Sequence, residues 1–176
     1  TKFKQLCAAP LIASIFGGAP DEFGALADKI STAPIDFLEL NLSCPNVSQE
    51  FGRPFAFSTE AVTVITKKVK EKTKIPLIIK LSPNASNITE IAKAAEAAGA
   101  NAICAVNTLS GMAIDIKMRQ PILHNKQGGV SGPALFPVAL KCVYDICSAV
   151  KIPVIGTGGV TSGNDALAMI MAGATL

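Results

Sequence analysis

Five times along the chain a short, nearly all-apolar run is followed by a longer segment of helical periodicity. The runs span residues 11–16, 37–41, 76–81, 102–106 and 153–156. Strands that are apolar on both faces mark a parallel sheet covered by other elements. The amphipathic segments span residues 21–31, 59–72, 87–98, 135–150 and 164–172. In the first of them Phe23, Leu26, Ala27 and Ile30 share one face, and in the second Val62, Ile65 and Val69 do. Ser58-Thr-Glu-Ala61 opens the second like a capping sequence, while Gly99 and Gly173 close the third and fifth as left-handed C-caps. Residues 174–176 read as the opening of a further strand.

Regular βαβα order calls for a parallel sheet with right-handed crossovers. An open doubly wound sheet and a closed barrel both satisfy it. No G-x-G-x-x-G follows the first strand, and polar residues cluster after nearly every strand end. That second habit belongs to the barrel. The expected fold class is therefore α/β, a (β/α)8 TIM barrel. A full barrel takes about 250 residues, so the 176 residues are expected to hold about five βα units of a single domain, incomplete at both ends.

Composition removes other classes. Hydrophobic residues make up 49% and charged residues 16%, a globular balance. No apolar run approaches the roughly 18 residues of a membrane span, and no signal peptide is visible, so no membrane partner is expected. A net charge of +3, dispersed along the chain, gives no footprint for nucleic acid. The lysines at 67, 68, 70 and 72 sit where a helix ends, and a solvated helix face accounts for them. Five scattered cysteines without a C-x-x-C pair, and one histidine, argue against a zinc site and suit a reducing cytoplasm.

The stretch from Glu39 to Val47 carries the most chemistry. It runs off a strand into a polar loop holding Asn41, Ser43, Cys44 and Asn46. Amides flanking a thiol suit a planar, amide-rich ligand, because each amide both donates and accepts. A loop thiol serves as a base when its pKa is depressed, whereas a buried cysteine is inert. Lys80 ends a wholly apolar strand, either as a solvated terminus or as a cation facing a reduced flavin. Asn107 and Thr108 follow the next strand, as ligand-binding groups or as a simple turn. Residues 128–134 and 156–162 are Gly-rich and each precedes a helix, a pattern that brings backbone N–H groups to a phosphate. His124 is expected to be a surface or loop-anchoring residue, and Tyr144 to pack inside a helix.

Together these residues resemble the class 1 dihydroorotate dehydrogenases, over essentially the whole chain. The resemblance rests on Asn41-Leu-Ser-Cys-Pro-Asn46, on Asn107-Thr-Leu-Ser-Gly-Met112, on Asp115 and Arg119-Gln-Pro-Ile-Leu123, and on Gly128-Gly-Val-Ser-Gly-Pro-Ala134. It is nearer the NAD-linked, two-subunit branch than the fumarate-using one. It implies that Cys44 is the base removing the C5 proton of dihydroorotate while hydride leaves C6 for flavin N5. It implies that Asn41, Asn46, Asn107 and Thr108 bind the pyrimidine. Asn41 and Lys80 would touch FMN, with Val106 beneath it and Gly132, Gly158 and Gly159 near its phosphate. Electrons would pass to a partner subunit carrying FAD and a 2Fe-2S cluster, and the catalytic chains would form a homo-oligomer. The family has Asn after the first strand where this chain has Ser14, which leaves one donor for that flavin contact. The family's first two strands and its last strand, with further substrate and phosphate contacts, are expected to lie outside residues 1–176. A related uracil-reducing dihydropyrimidine dehydrogenase has Cys-Pro-His where this chain has Cys44-Pro-Asn46. The third reading is a non-catalytic half-barrel.

Overall fold

A computed structural model describes residues 2–43 and 55–176. Cys44 and Asn46 lie outside the described residues. A short helix α1 (Lys2–Leu6) leads into β1 (Ile12–Ile15), α2 (Pro20–Ile30) and β2 (Phe37–Asn41). Then come α3 (Thr59–Lys72), β3 (Leu77–Lys80), α4 (Ile88–Ala97) and β4 (Ala102–Ala105). An excursion of four short strands follows: β5 (Leu109–Gly111), β6 (Ile114–Asp115), β7 (Gln120–Pro121) and β8 (Gly128–Val130). The chain ends with α5 (Phe136–Cys147), β9 (Val154–Gly156) and α6 (Gly163–Met171).

The five main strands form one parallel sheet in the order β1-β2-β3-β4-β9. The order never reverses. Right-handed crossovers then place every helix on the same face, with α2, α3, α4, α5 and α6 each packed on the next. A doubly wound sheet would reverse at a switch point and carry helices on both faces. One helical layer outside an unreversed parallel sheet is barrel architecture. Residues 174–176 continue it. Thr175 N–H donates to Val154 O (2.7 Å), and Gly156 N–H donates to Leu176 O (2.8 Å).

The core lies between sheet and helices. Leu38, Leu40, Leu77, Ile79, Ile103 and Ala105 point outward and are fully buried against Phe23, Ala27, Val62, Ile65, Val69, Ile91, Val143 and Ile146. Each large side chain buried this way contributes about 1.5–3 kcal/mol. The local punctuation works as expected. Ser58 accepts Ala61 N–H at the start of α3, and Asn87 accepts Glu90 N–H at the start of α4. Gly99 and Gly173 take φ of 99° and 110° after α4 and α6.

Two side chains depart from expectation. Leu26 is 37% exposed, because the buried stripe of α2 runs through Pro20, Phe23, Gly24 and Ala27. Gly24 faces Lys68 on α3, and this small residue turns the helix so that Leu26 faces away. Tyr144 lies on α5 but is 62% exposed, since Ala139, Cys142, Val143 and Ile146 form the buried face. In water its phenol O–H needs no protein partner. His124 is exposed, as its loop setting suggests. Among the described residues Cys7, Cys104, Cys142 and Cys147 are free, and no cluster of residues suits a metal ion. No helix among them is long and apolar enough to cross a membrane.

Candidate active site

Parallel strands deliver their C-terminal ends to one rim. Register partners in such a sheet share a face. Asn41 is therefore level with Lys80, and Lys80 with Cys104, on the face away from the helices. Ser14 and Glu39, also partners, lie on that face one step below.

At the rim the amides and hydroxyls converge. Asn41 Oδ1 accepts the Ser43 hydroxyl (2.7 Å), Ser43 N–H (3.3 Å) and Asn107 Nδ2–H (3.3 Å). Asn107 Nδ2 also donates to Ser43 Oγ. The loop that presents Asn107 is tied down by its own N–H, which donates to Leu81 O (2.8 Å). Asn107 Oδ1 in turn accepts Thr108 N–H (2.8 Å). Two segments 66 residues apart in sequence are thus joined through their side chains. With Thr108, Asn84, Ser110 and Gln127 they line a cleft of about 390 Å³. Seven of its ten lining residues carry an amide or a hydroxyl, which suits a flat ligand with paired donors and acceptors.

Beside this cleft lies a charged layer. Glu39 Oε1 accepts the Ser14 hydroxyl (2.8 Å) and stands 4.0 Å from Lys80 Nζ. Cys104 is buried at the same level, and its thiol approaches Thr157 Oγ1 (3.8 Å). Burial, then the charge of Glu39, push this thiol up to about 11, so Cys104 stays protonated and is no nucleophile. Val106 is buried where β4 ends, and the peptide joining it to Ala105 is cis. Its N–H donates to Thr157 O (2.9 Å), and its carbonyl accepts the Thr157 hydroxyl (3.0 Å).

The two Gly-rich segments meet beyond β4 and β9. Gly132, Gly158 and Gly159 all have positive φ (87°, 122° and 71°). A Cβ on Gly159 would lie 2.6 Å from Phe136 N and 2.7 Å from Gly132 O. The start of α5 and the turn after β9 therefore touch backbone to backbone. Gly128 and Gly129 are used differently from the sequence reading. They belong to β8, paired antiparallel with β5, and a Cβ on Gly129 would strike the Thr108 side chain.

The geometry thus groups Asn41, Asn107 and Thr108 in one cleft, with Lys80 and Ser14 on the adjoining inner face and Gly132, Gly158 and Gly159 at one loop junction. Ser14 spends its only proton on Glu39. Glu39 and Asn84 escaped the sequence reading. Glu39 had a signal, as the one charge in a mostly apolar strand, and Ser82-Pro-Asn84 repeats the pattern of Cys44-Pro-Asn46. A groove of about 450 Å³ between α4 and α5 is slightly larger, but none of the described candidate residues lines it, and its Lys141 and Asp145 pair with each other.

A sequence model of dihydroorotate dehydrogenase matches residues 1–176. The chain belongs to the dihydroorotate dehydrogenase family. The catalytic subunit of the NAD(+)-type enzyme, dihydroorotate dehydrogenase B, from Methanosarcina acetivorans is 49% identical over 97% of this chain and 55% of its own length. The corresponding subunit from Thermococcus kodakarensis is 51% identical over 94% of this chain and 54% of its own. The fumarate-type dihydroorotate dehydrogenase A of Lacticaseibacillus paracasei is 48% identical over 94% and 57%. The chain spans about half the length of these curated relatives. The TIM barrel of the dihydroorotate dehydrogenase family accounts for five parallel strands under one helical layer, which form part of that barrel.

Proposed function

We propose that the full-length protein oxidises dihydroorotate to orotate in pyrimidine biosynthesis. The observation that carries this is the convergence of Asn41, Asn107 and Thr108 on one polar cleft at the strand ends, beside Lys80. Dihydroorotate is a ring of alternating amide donors and acceptors, and carboxamides recognise that pattern. Asn41, Asn107, Thr108 and Asn46 hold the pyrimidine.

FMN fits the remaining residues. A cation on the inner face suits the negative charge of a reduced ring. The positive φ of Gly132, Gly158 and Gly159, beside the start of α5, is the backbone form that can turn N–H groups toward a phosphate. Lys80 and Asn41 would contact the ring system, with Val106 beneath it. Ser14 would offer an oxygen acceptor. Gly132, Gly158 and Gly159 would hold the phosphate end. Bound FMN supplies the two-electron acceptor. Cys44, as thiolate, takes the proton from C5 of dihydroorotate, and the C5–C6 double bond forms as C6 gives up its hydride. Lys80 holds positive charge where negative charge grows.

The NAD(+)-type relatives support a separate electron-transfer subunit, which by resemblance carries FAD and a 2Fe-2S cluster. Apolar side chains exposed on the 109–130 excursion, Ile116 and Met118 among them, support self-association of the catalytic chains. By resemblance, residues 1–176 would be part of one barrel domain, lacking its first two strands and its last.

In the full-length protein, Cys44→Ala is expected to lower dihydroorotate oxidation by at least about 10²-fold, the worth of a general base. The flavin absorbance stays. Near-normal turnover in that variant overturns the assignment of the base.

A further inference from the structure

We propose that Glu39 is a positioning residue, whose carboxylate is held by Ser14 and fixes the ammonium of Lys80 on the inner rim toward the flavin. This rests on the function proposed above and adds a role for a residue outside the cleft.

Glu39 is the one charged residue of a strand whose neighbours Leu38 and Leu40 are fully buried, and its own side chain is 14% exposed. A carboxylate taken that far out of water carries a desolvation cost, and an ion pair rarely repays it better than a hydrocarbon would. Leucine at this position would serve the sheet without that cost. What the carboxylate does instead is visible in its partners. Ser14 donates to Oε1 from β1 at 2.8 Å, and Lys80 Nζ stands 4.0 Å from the same oxygen on β3. Glu39 is register partner to Ile78, so Lys80 is its diagonal neighbour on the inner face, within reach of two long side chains. Among the described residues Glu39 is the only ion-pair partner of Lys80. A lysine loses rotamer freedom when fixed, and a preset anion offsets that loss before the cofactor arrives.

The sign of the effect separates positioning from bare charge. Glu39→Gln keeps the shape and an acceptor for Ser14. If Glu39 holds Lys80 in place, the substitution releases the ammonium, and the flavin midpoint potential of the full-length holoenzyme falls. Turnover falls with it while KM for dihydroorotate is unchanged. In a Lys80→Met background the same substitution no longer lowers the potential, because the residue it acts through is gone. Glu39→Asp, with the charge one methylene back, restores part of the potential. A carboxylate acting only by its own charge gives the opposite result, since glutamine removes a negative charge near the ring. A raised or unchanged potential in Glu39→Gln, or an equal shift with and without Lys80, overturns the positioning role alone. A full-length wild-type protein that purifies without flavin overturns this role and the proposed function together.

Discussion

Asn84 stands in for a strand. Its Nδ2 donates to Thr108 O (3.1 Å) and Ser82 Oγ (2.9 Å), while its Oδ1 accepts Ser110 N–H (2.8 Å). One carboxamide thus reads a carbonyl and an amide two residues apart, and it fixes the backbone that presents Thr108 to the cleft. Such bonds are worth about 1 kcal/mol each. Asn84→Ala is therefore expected to raise KM for dihydroorotate about tenfold in the full-length protein, with the flavin spectrum unchanged. Asn84→Asp keeps the acceptor for Ser110 and loses the donor to Thr108, so its KM falls between. Steady-state kinetics decide it, and an unchanged KM in Asn84→Ala removes Asn84 from the site. Residues such as Asn41, Asn107 and Thr108 were legible in the sequence because each follows an apolar strand and so reaches the rim. Asn84 and Glu39 were not. Their meaning depends on partners 24 to 41 residues away, and nothing in their own neighbourhood names those partners.

At the scale of elements, every main strand and helix was legible, and α3 spans Thr59–Lys72 as its periodicity predicts. Capping and hydrophobic period act locally, so sequence alone carries them. The excursion of β5 to β8 was not legible. Its strands are two or three residues long, too short for a period, and its glycines mimic a phosphate loop until the pairing of β5 with β8 explains them. The start of α6 shows a local device whose effect is measurable. Ser162 accepts Asp165 N–H, and Asp165 Oδ2 accepts Thr161 N–H, the Thr161 hydroxyl and Ser162 N–H. Those bonds, Thr161 N–H first, hold the Asp165 carboxyl below its usual 3.8. A depressed value in the folded state means the stabilisation is present above the unfolded pKa and is lost as pH falls through the folded one. Asp165→Ala is expected to lower Tm at neutral pH by a few degrees, and the gap from wild type should narrow as pH drops below about 4. Thermal melts across that range test it. A gap that stays constant with pH contradicts the box.

At the scale of the molecule, the sheet is unfinished on the side of β1. Ile12, Phe16 and Phe37 face the inner side and are 47%, 63% and 36% exposed. On α6, Leu167, Ile170 and Met171 are open as well, and Leu176 ends the segment paired with β9. A closed barrel abolishes its edges and fills its interior with its own side chains. The 176 residues alone leave β1 as an edge strand beside exposed apolar side chains, a combination that recruits other chains. The isolated chain is therefore expected to self-associate or precipitate. It should also be colourless, because a flavin placed as proposed, over Lys80 and Val106, would need walls from the rest of the barrel. Gel filtration and a visible absorbance scan read both outcomes in one preparation. A yellow monomer would mean that this part of the barrel closes on itself and holds the cofactor unaided. The polar cleft at its rim would then be complete as it stands.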